Sequence, residues 1–201
     1  MKNRLSMMIA ALALAIAPSA AWADGYFVPF LGANFGGDVG RPLSETVDDR
    51  NRFSWGFGVG GMAGGIFGAE FDFGYTHNFY ASNGTVVTKS NLMTAMPALI
   101  IGIPIGGQTG GGIRPFFVAG AGLLRRDIDV DTFDSISKND FGYTLGGGIM
   151  GYFSDHVGVR GDLRYFRNFQ VDDFDITEVD LDLERGTFNF GRASVGLLFR
   201  F

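Results

Sequence analysis

Apolar and polar positions alternate along most of this chain with a period of two, the signature of strands rather than helices. Phe53, Trp55, Phe57 and Val59 alternate with Ser54, Gly56, Gly58 and Gly60. Ala69, Phe71, Phe73 and Tyr75 alternate with Gly68, Glu70, Asp72 and Gly74, and Val157, Val159, Leu163 and Tyr165 with Gly158, Arg160, Asp162 and Arg164. The pattern predicts eight strands, over 26–35, 52–63, 67–77, 91–103, 114–126, 141–153, 157–167 and 187–201. Longer polar connections at 36–51, 78–89, 127–140 and 170–186 alternate with shorter ones at 64–65, 104–113 and 154–156. The fourth strand is apolar almost throughout, and its two faces stay unassigned. Pro97 inside it has no N–H to donate, so a bulge or local break is expected there.

Alternation alone fits two architectures. A soluble sandwich turns its apolar row to a core, and a membrane barrel turns it to lipid. Three features favour the barrel. The apolar rows are built from Phe, Trp and Tyr, as a lipid-facing band with interfacial aromatics requires. The polar rows mix full charges with bare Gly, where a water-facing row would carry Lys, Thr and Glu. Finally, Val195, Leu197, Phe199 and Phe201 keep one alternating row to the last residue, where a soluble strand end is expected to be polar and frayed.

Composition sharpens this. Gly numbers 32 of 201 residues and Phe 21, and Cys is absent, which excludes disulfides, thiolate metal sites and thiol nucleophiles. The N-terminus reads as an export signal: Lys2 and Arg4, an apolar run from Leu5 to Ala17 interrupted by Ser6, then Ala21-Trp22-Ala23. Cleavage is expected between Ala23 and Asp24, which leaves 201 − 23 = 178 residues, 24–201, as the barrel. Losing two cations moves the net charge from −5 to −7, which argues against nucleic acid as a partner. After the signal no apolar stretch reaches the ~20 residues of a membrane helix.

The segment Pro115-Phe116-Phe117-Val118-Ala119-Gly120-Ala121-Gly122, the run Phe153-Ser154-Asp155-His156 into Gly161-Asp162-Leu163-Arg164-Tyr165, and the terminal Leu197-Leu198-Phe199-Arg200-Phe201 resemble the small OmpA/OmpX-like outer-membrane barrels of Gram-negative bacteria. The resemblance spans the chain after the signal and is to the barrel alone, without a periplasmic domain. It implies an all-β, eight-stranded, antiparallel up-and-down transmembrane barrel in the outer membrane. Long connections would lie outside the cell and short turns on the periplasmic side. It also implies that Phe199 and Phe201 form the signal read by the barrel-assembly machinery.

With aromatic rows outward, Glu70, Asp72, Arg160, Asp162, Arg164, Arg192 and Arg200 point into the lumen. Glu70 and Arg160 are each the fourth residue of their strand and should meet across it. Three acids against four arginines read as an ion-pair network that plugs the lumen, or as the lining of a narrow channel for ions or small solutes. The inward glycines, which leave room, favour the channel. Paired arginines would hold the carboxylates ionised, so acid–base catalysis is not expected. His77 and His156 have no serine motif around them, and two histidines do not make a metal site. No cofactor is expected. Arg52, Lys89, Arg125, Arg126 and Arg167 sit where strands leave the outer leaflet, placed to bind lipopolysaccharide phosphate as a collar. The acidic stretches 127–140 and 172–184 are expected to be solvated surface loops, open to an adhesin-like role. Two G-x-G-x-x-G matches, at Gly56 and Gly146, open no helix and carry no dinucleotide reading. The role expected is a non-enzymatic one in envelope integrity. N-terminal sequencing of the exported protein checks the cleavage site: Asp24 is the expected first residue, and an intact Met1 contradicts the signal.

Overall fold

The computed structural model describes residues 23–36, 52–77, 89–106, 110–130, 133–169 and 188–201. Eight strands run β1 (Ala23–Phe35), β2 (Arg52–Ala63), β3 (Phe67–His77), β4 (Lys89–Gly102), β5 (Gly112–Val130), β6 (Phe133–Tyr152), β7 (Val157–Asn168) and β8 (Asn189–Arg200). Each pairs antiparallel with its sequence neighbour, and β1 pairs with β8 to close the barrel. The fold is the eight-stranded antiparallel barrel that the resemblance implies.

The geometry of closure can be read from one row of partners. Gly25, Gly61, Ala69, Leu99, Ala119, Leu145, Tyr165 and Gly191 lie opposite one another in turn. The row then returns to β1 at Phe35, ten residues beyond Gly25. A stagger of ten over eight strands tilts them by roughly 40° from the axis.

Facing follows residue parity all the way round. Odd-numbered positions such as Leu31, Phe53, Leu99, Phe117, Leu145, Leu163 and Val195 are exposed apolar side chains. Even-numbered positions point inward and are buried or half-buried. This settles β4: Leu92, Thr94, Met96, Ala98 and Ile100 face the lumen, while Leu99 and Ile101 face out. A soluble protein could not leave so much apolar surface in water; in lipid it is the required wall.

The local break expected at Pro97 is present, and one other expectation changes. Pro97 makes no bulge. Pairing of β4 with β5 skips Met96 and Pro97 and resumes in the same register, Ala95↔Leu123 before the gap and Ala98↔Gly120 after it. The missing N–H costs one local break, while β3 pairs with Pro97 without interruption. The stretch 127–140, expected to be a loop, is mostly strand. β5 and β6 continue to Val130 and from Phe133 as a hairpin, with a register shift between Ile128 and Val130. Asp127-Ile128-Asp129-Val130-Asp131 does alternate, but its density of acids reads as a solvated loop.

The lumen is filled in layers. Toward the end that holds the short turns, Tyr26, Val28, Met62, Ala98, Ile100, Phe116, Val118, Met150, Tyr152 and Leu198 form one apolar cluster. Toward the other end, Leu92, Met96, Leu124, Phe166, Phe188 and Phe190 form a second. Glu70, Asp72, Arg160, Asp162, Arg164 and Arg192 lie between them.

Candidate functional site: the ionic layer of the lumen

β3 supplies Glu70 and Asp72, β7 supplies Arg160, Asp162 and Arg164, and β8 supplies Arg192. All six are inward. Glu70 takes both terminal nitrogens of Arg160: Nη1 donates to Oε2, and Nη2 to Oε1 at 3.2 Å. Arg164 Nη2 also donates to Glu70 Oε1 at 2.6 Å. Arg160 Nε donates to Asp162 Oδ2 at 3.0 Å, and Arg164 Nη2 lies 3.3 Å from the same oxygen. Arg192 Nη2 donates to both oxygens of Asp72, each at 2.7 Å. Arg164 Nη1 is 3.5 Å from Asp72 Oδ2. Three carboxylates and three guanidiniums thus form one connected layer of zero net charge.

The connections resolve a conflict built into the sheet. Arg164 and Arg192 are direct cross-strand partners, and like charges opposite one another are unfavourable. Glu70 and Asp72, reaching across from β3, supply the compensating charge. Neutral groups fix the carboxylates further. Tyr26 Oη donates to Glu70 Oε2 at 2.6 Å and Ser194 Oγ to Asp162 Oδ1 at 2.7 Å. The guanidinium faces stack on rings: Arg160 lies 4.3 Å from the Phe116 centroid, and Arg192 4.5 Å from Phe30 and 5.0 Å from Phe166. Arg164 Nε, Arg192 Nε, Thr144 Oγ1 and Asn34 Oδ1 are buried without a protein hydrogen-bond partner among the described residues.

The inward glycines do not leave an open passage here. Tyr26, Gly60 and Glu70 are consecutive in one inward row, and Tyr26 reaches Glu70 across the missing side chain of Gly60. A Cβ at Gly60 would sit 2.7 Å from Tyr26 Oη. Gly146 lies opposite Arg164, and a Cβ there would sit 2.9 Å from Arg164 Cγ. These glycines are bays occupied by their neighbours' long side chains.

Arg200, expected in this network, lies outside it. It sits at the short-turn end, donates from Nε to the Asp155 carbonyl at 2.6 Å, and stacks 4.6 Å from the Tyr152 centroid. Arg114 shares that end, and its inward burial was missed. Only 2% of its side chain is exposed; it contacts Tyr152 Oη at 3.2 Å and Asp24 Oδ2 at 3.5 Å. Its even number is the signal that would have found it, obscured because it stood at a predicted strand boundary.

The five basic residues expected as a collar do not share one orientation. Arg125 is exposed and Arg167 half-buried, both at odd, outward positions. Arg126 instead turns inward, pairs with Asp140 and stacks 4.6 Å from the Phe188 centroid. Arg52 is at an even, inward position and is half-buried. The side chain of Lys89 lies outside the described residues, as do 170–187 with their acidic cluster. His77 is exposed and contacts Asn91 Oδ1 at 2.9 Å, and His156 lies in the turn before β7 with Nδ1 3.3 Å from the Arg200 carbonyl. Among the described residues neither imidazole ring is hydrogen-bonded to a serine hydroxyl; His156 meets Ser154 Oγ only through its backbone N–H, at 3.4 Å. Among the described residues no group of three His, Cys, Asp or Glu is placed to hold a metal. Phe199 and Phe201 are exposed on the outward row, with Phe201 hydrogen-bonded to Gly25 through the backbone.

The family model for the outer membrane protein beta-barrel domain matches residues 8–201. The chain belongs to this family. The barrel therefore lies in the outer membrane of a Gram-negative cell, with its apolar wall in lipid. It is 28% identical over 186 residues to a 22 kDa outer membrane protein of Rhizobium leguminosarum bv. viciae, covering 88% of this chain and 74% of that one. Solved structures similar in fold include Neisserial surface protein A (15% identity, TM-score 0.62, covering 88% of this chain and 97% of that one). OprG of Pseudomonas aeruginosa is another, at 10% identity and TM-score 0.59, covering 90% and 96%. Ail, the attachment invasion locus protein of Yersinia pestis, solved with the heparin analogue sucrose octasulfate, covers 90% and 99% at 10% identity and TM-score 0.57. At these identities the barrel shares their fold.

Breaking one partner of a buried pair leaves an uncompensated charge, at ~3–5 kcal/mol. Glu70→Gln and Arg160→Met should each destabilise the barrel by about that amount in urea unfolding from lipid vesicles. The double variant should cost less than the sum of the two. Additive costs would show that the two side chains are not coupled.

Proposed function

We propose that this is a non-catalytic, non-conducting barrel that contributes to the integrity of the outer membrane. The observation that carries this reading is the order of layers inside it. A charge-balanced ionic layer lies between two apolar clusters. An ion crossing the lumen would have to shed water at an apolar layer, break the ion pairs, and pass a second apolar layer. Each is costly in a low-dielectric interior, and eight strands enclose only enough space for side chains.

The same reading treats Phe199 and Phe201 as the segment offered to the assembly machinery, since both stand clear of the wall on the lipid side. Removal of 1–23 as an export signal would leave β1 to start at Asp24, opposite Met62. Lipopolysaccharide contact is assigned to Arg125 and Arg167, whose positions face outward, with Lys89 kept as a member whose side chain lies outside the described residues. Arg126, engaged with Asp140, is dropped from that set. Replacing Arg125 and Arg167 with Gln should lower the thermal unfolding temperature in lipopolysaccharide more than in phospholipid; equal effects would remove that role.

Planar-bilayer recording of the reconstituted barrel tests the main proposal. Wild-type protein should give no stepwise conductance. A reproducible open state in wild type, altered by Arg160→Ala, would establish the channel instead.

A further inference from the structure

Two seams of the wall are each interrupted at a proline. Between β1 and β8 the partners run Tyr26↔Arg200 and Phe27↔Phe199, skip Val28 and Pro29, and resume at Phe30↔Gly196 in the same register. Between β4 and β5 they skip Met96 and Pro97. The other six ladders run through the wall without a skipped pair, the shift at Ile128 lying above it.

The direction of each missing donor follows from its ladder. Gly25 and Phe201 exchange both backbone bonds. Hydrogen-bonded pairs recur at every second position, so Pro29 opposite Leu197 and Leu31 opposite Val195 are such pairs too. The Ile103 N–H donates to the Pro115 carbonyl, which gives Pro97 opposite Ala121 the same status in the β4–β5 ladder. Each proline therefore withholds an N–H from its own seam, and the carbonyls of Leu197 and Ala121 lose a ladder donor. The other edges of the two prolines, toward β2 and β3, keep unbroken pairing.

In a ring of eight strands the β8–β1 and β4–β5 seams lie opposite one another. They divide the wall into β1–β4 and β5–β8, and the ionic layer divides the same way. Glu70 and Asp72 stand on the first half; Arg160, Arg164 and Arg192 stand on the second, with Asp162. Glu70 pairs with Arg160 and Arg164, and Asp72 with Arg164 and Arg192. At the short-turn end Asp24 of the first half lies 3.5 Å from Arg114 of the second. We propose that the barrel is built as two four-stranded half-shells, clamped across the lumen by acids on one and arginines on the other, and that it yields along the two proline seams when the clamp is broken. Cohesion that the seams lack in backbone bonds is supplied through the interior. The device does not depend on whether the lumen conducts.

Backbone amide exchange of the full barrel in phosphatidylcholine nanodiscs, read by nuclear magnetic resonance, tests it. Leu31 and Val195 report the β1–β8 seam, and Ala95 and Leu123 the β4–β5 seam. Phe57 and Phe73 report the interior of the first half, and Leu145 and Tyr165 that of the second. In Glu70→Gln/Asp72→Asn the seam amides should exchange about tenfold faster, while the interior amides change by less than about twofold. Pro29→Ala returns a donor to the β1–β8 seam. In an otherwise wild-type barrel it should slow exchange of Leu31 and Val195 and leave Phe57 and Leu145 unchanged. This arm decides the matter even if the double variant does not fold, which heat-modifiable gel mobility reports. Equal acceleration of seam and interior amides, seam amides unmoved by loss of the acids, or a folded Pro29→Ala without effect on Leu31 and Val195 would each overturn the proposal.

Discussion

Hydrocarbon offers no hydrogen-bond partner to a peptide group, so every strand in it must be paired on both edges. The remaining features of this barrel follow from that constraint. Closure of β1 on β8 removes the last edges within the membrane. It also sets the stagger and tilt, and through them which side chains meet across the lumen. Parity does the rest: one residue set faces lipid and the other fills a narrow interior. Above the membrane water can satisfy backbone groups, so pairing there is no longer obligatory.

Filling that interior forces the ionic layer. Long arginine side chains occupy the volume left by glycines on neighbouring strands, and each must find an acid within reach because no bulk water surrounds it. Glu70 and Asp72 on the opposite wall meet that need, so the layer ties β3 to β7 and β8 across the axis as well as filling space. Such a network is weak evidence for overall stability, since buried ion pairs carry a large desolvation cost. Its value is in specifying register. A one-residue slip of β7 would turn Arg160, Asp162 and Arg164 toward lipid.

Much of this was legible in the residues. Phe53 to Val59 and Phe71 to Tyr75 announced strands, and their Gly and acid neighbours announced an inverted facing. The pairing of Glu70 with Arg160 followed from equal positions in β3 and β7. What stayed hidden was hidden for physical reasons. β4 is apolar on both faces because its lumen side lies largely against the apolar clusters, so alternation carried no signal. The inward glycines looked like free volume because a sequence does not show that Tyr26 and Arg164 lean into it. Arg200 shares the parity of the network but sits too close to the turn at Asp155 to reach it. The upper hairpin stayed hidden because its acids, at every second position from Asp127 to Asp131, read as a solvated loop.

The central claim is that Arg160 is held inside a closed ionic layer rather than lining a water-filled path. Nuclear magnetic resonance of the barrel in lipid nanodiscs, with 15N-labelled arginine, reads this directly. The Arg160 Nε–H should be protected, exchanging with water far more slowly than that of an exposed arginine, and should lose that protection in Glu70→Gln. An Arg160 side chain that exchanges as freely in wild type as a surface arginine would contradict the account.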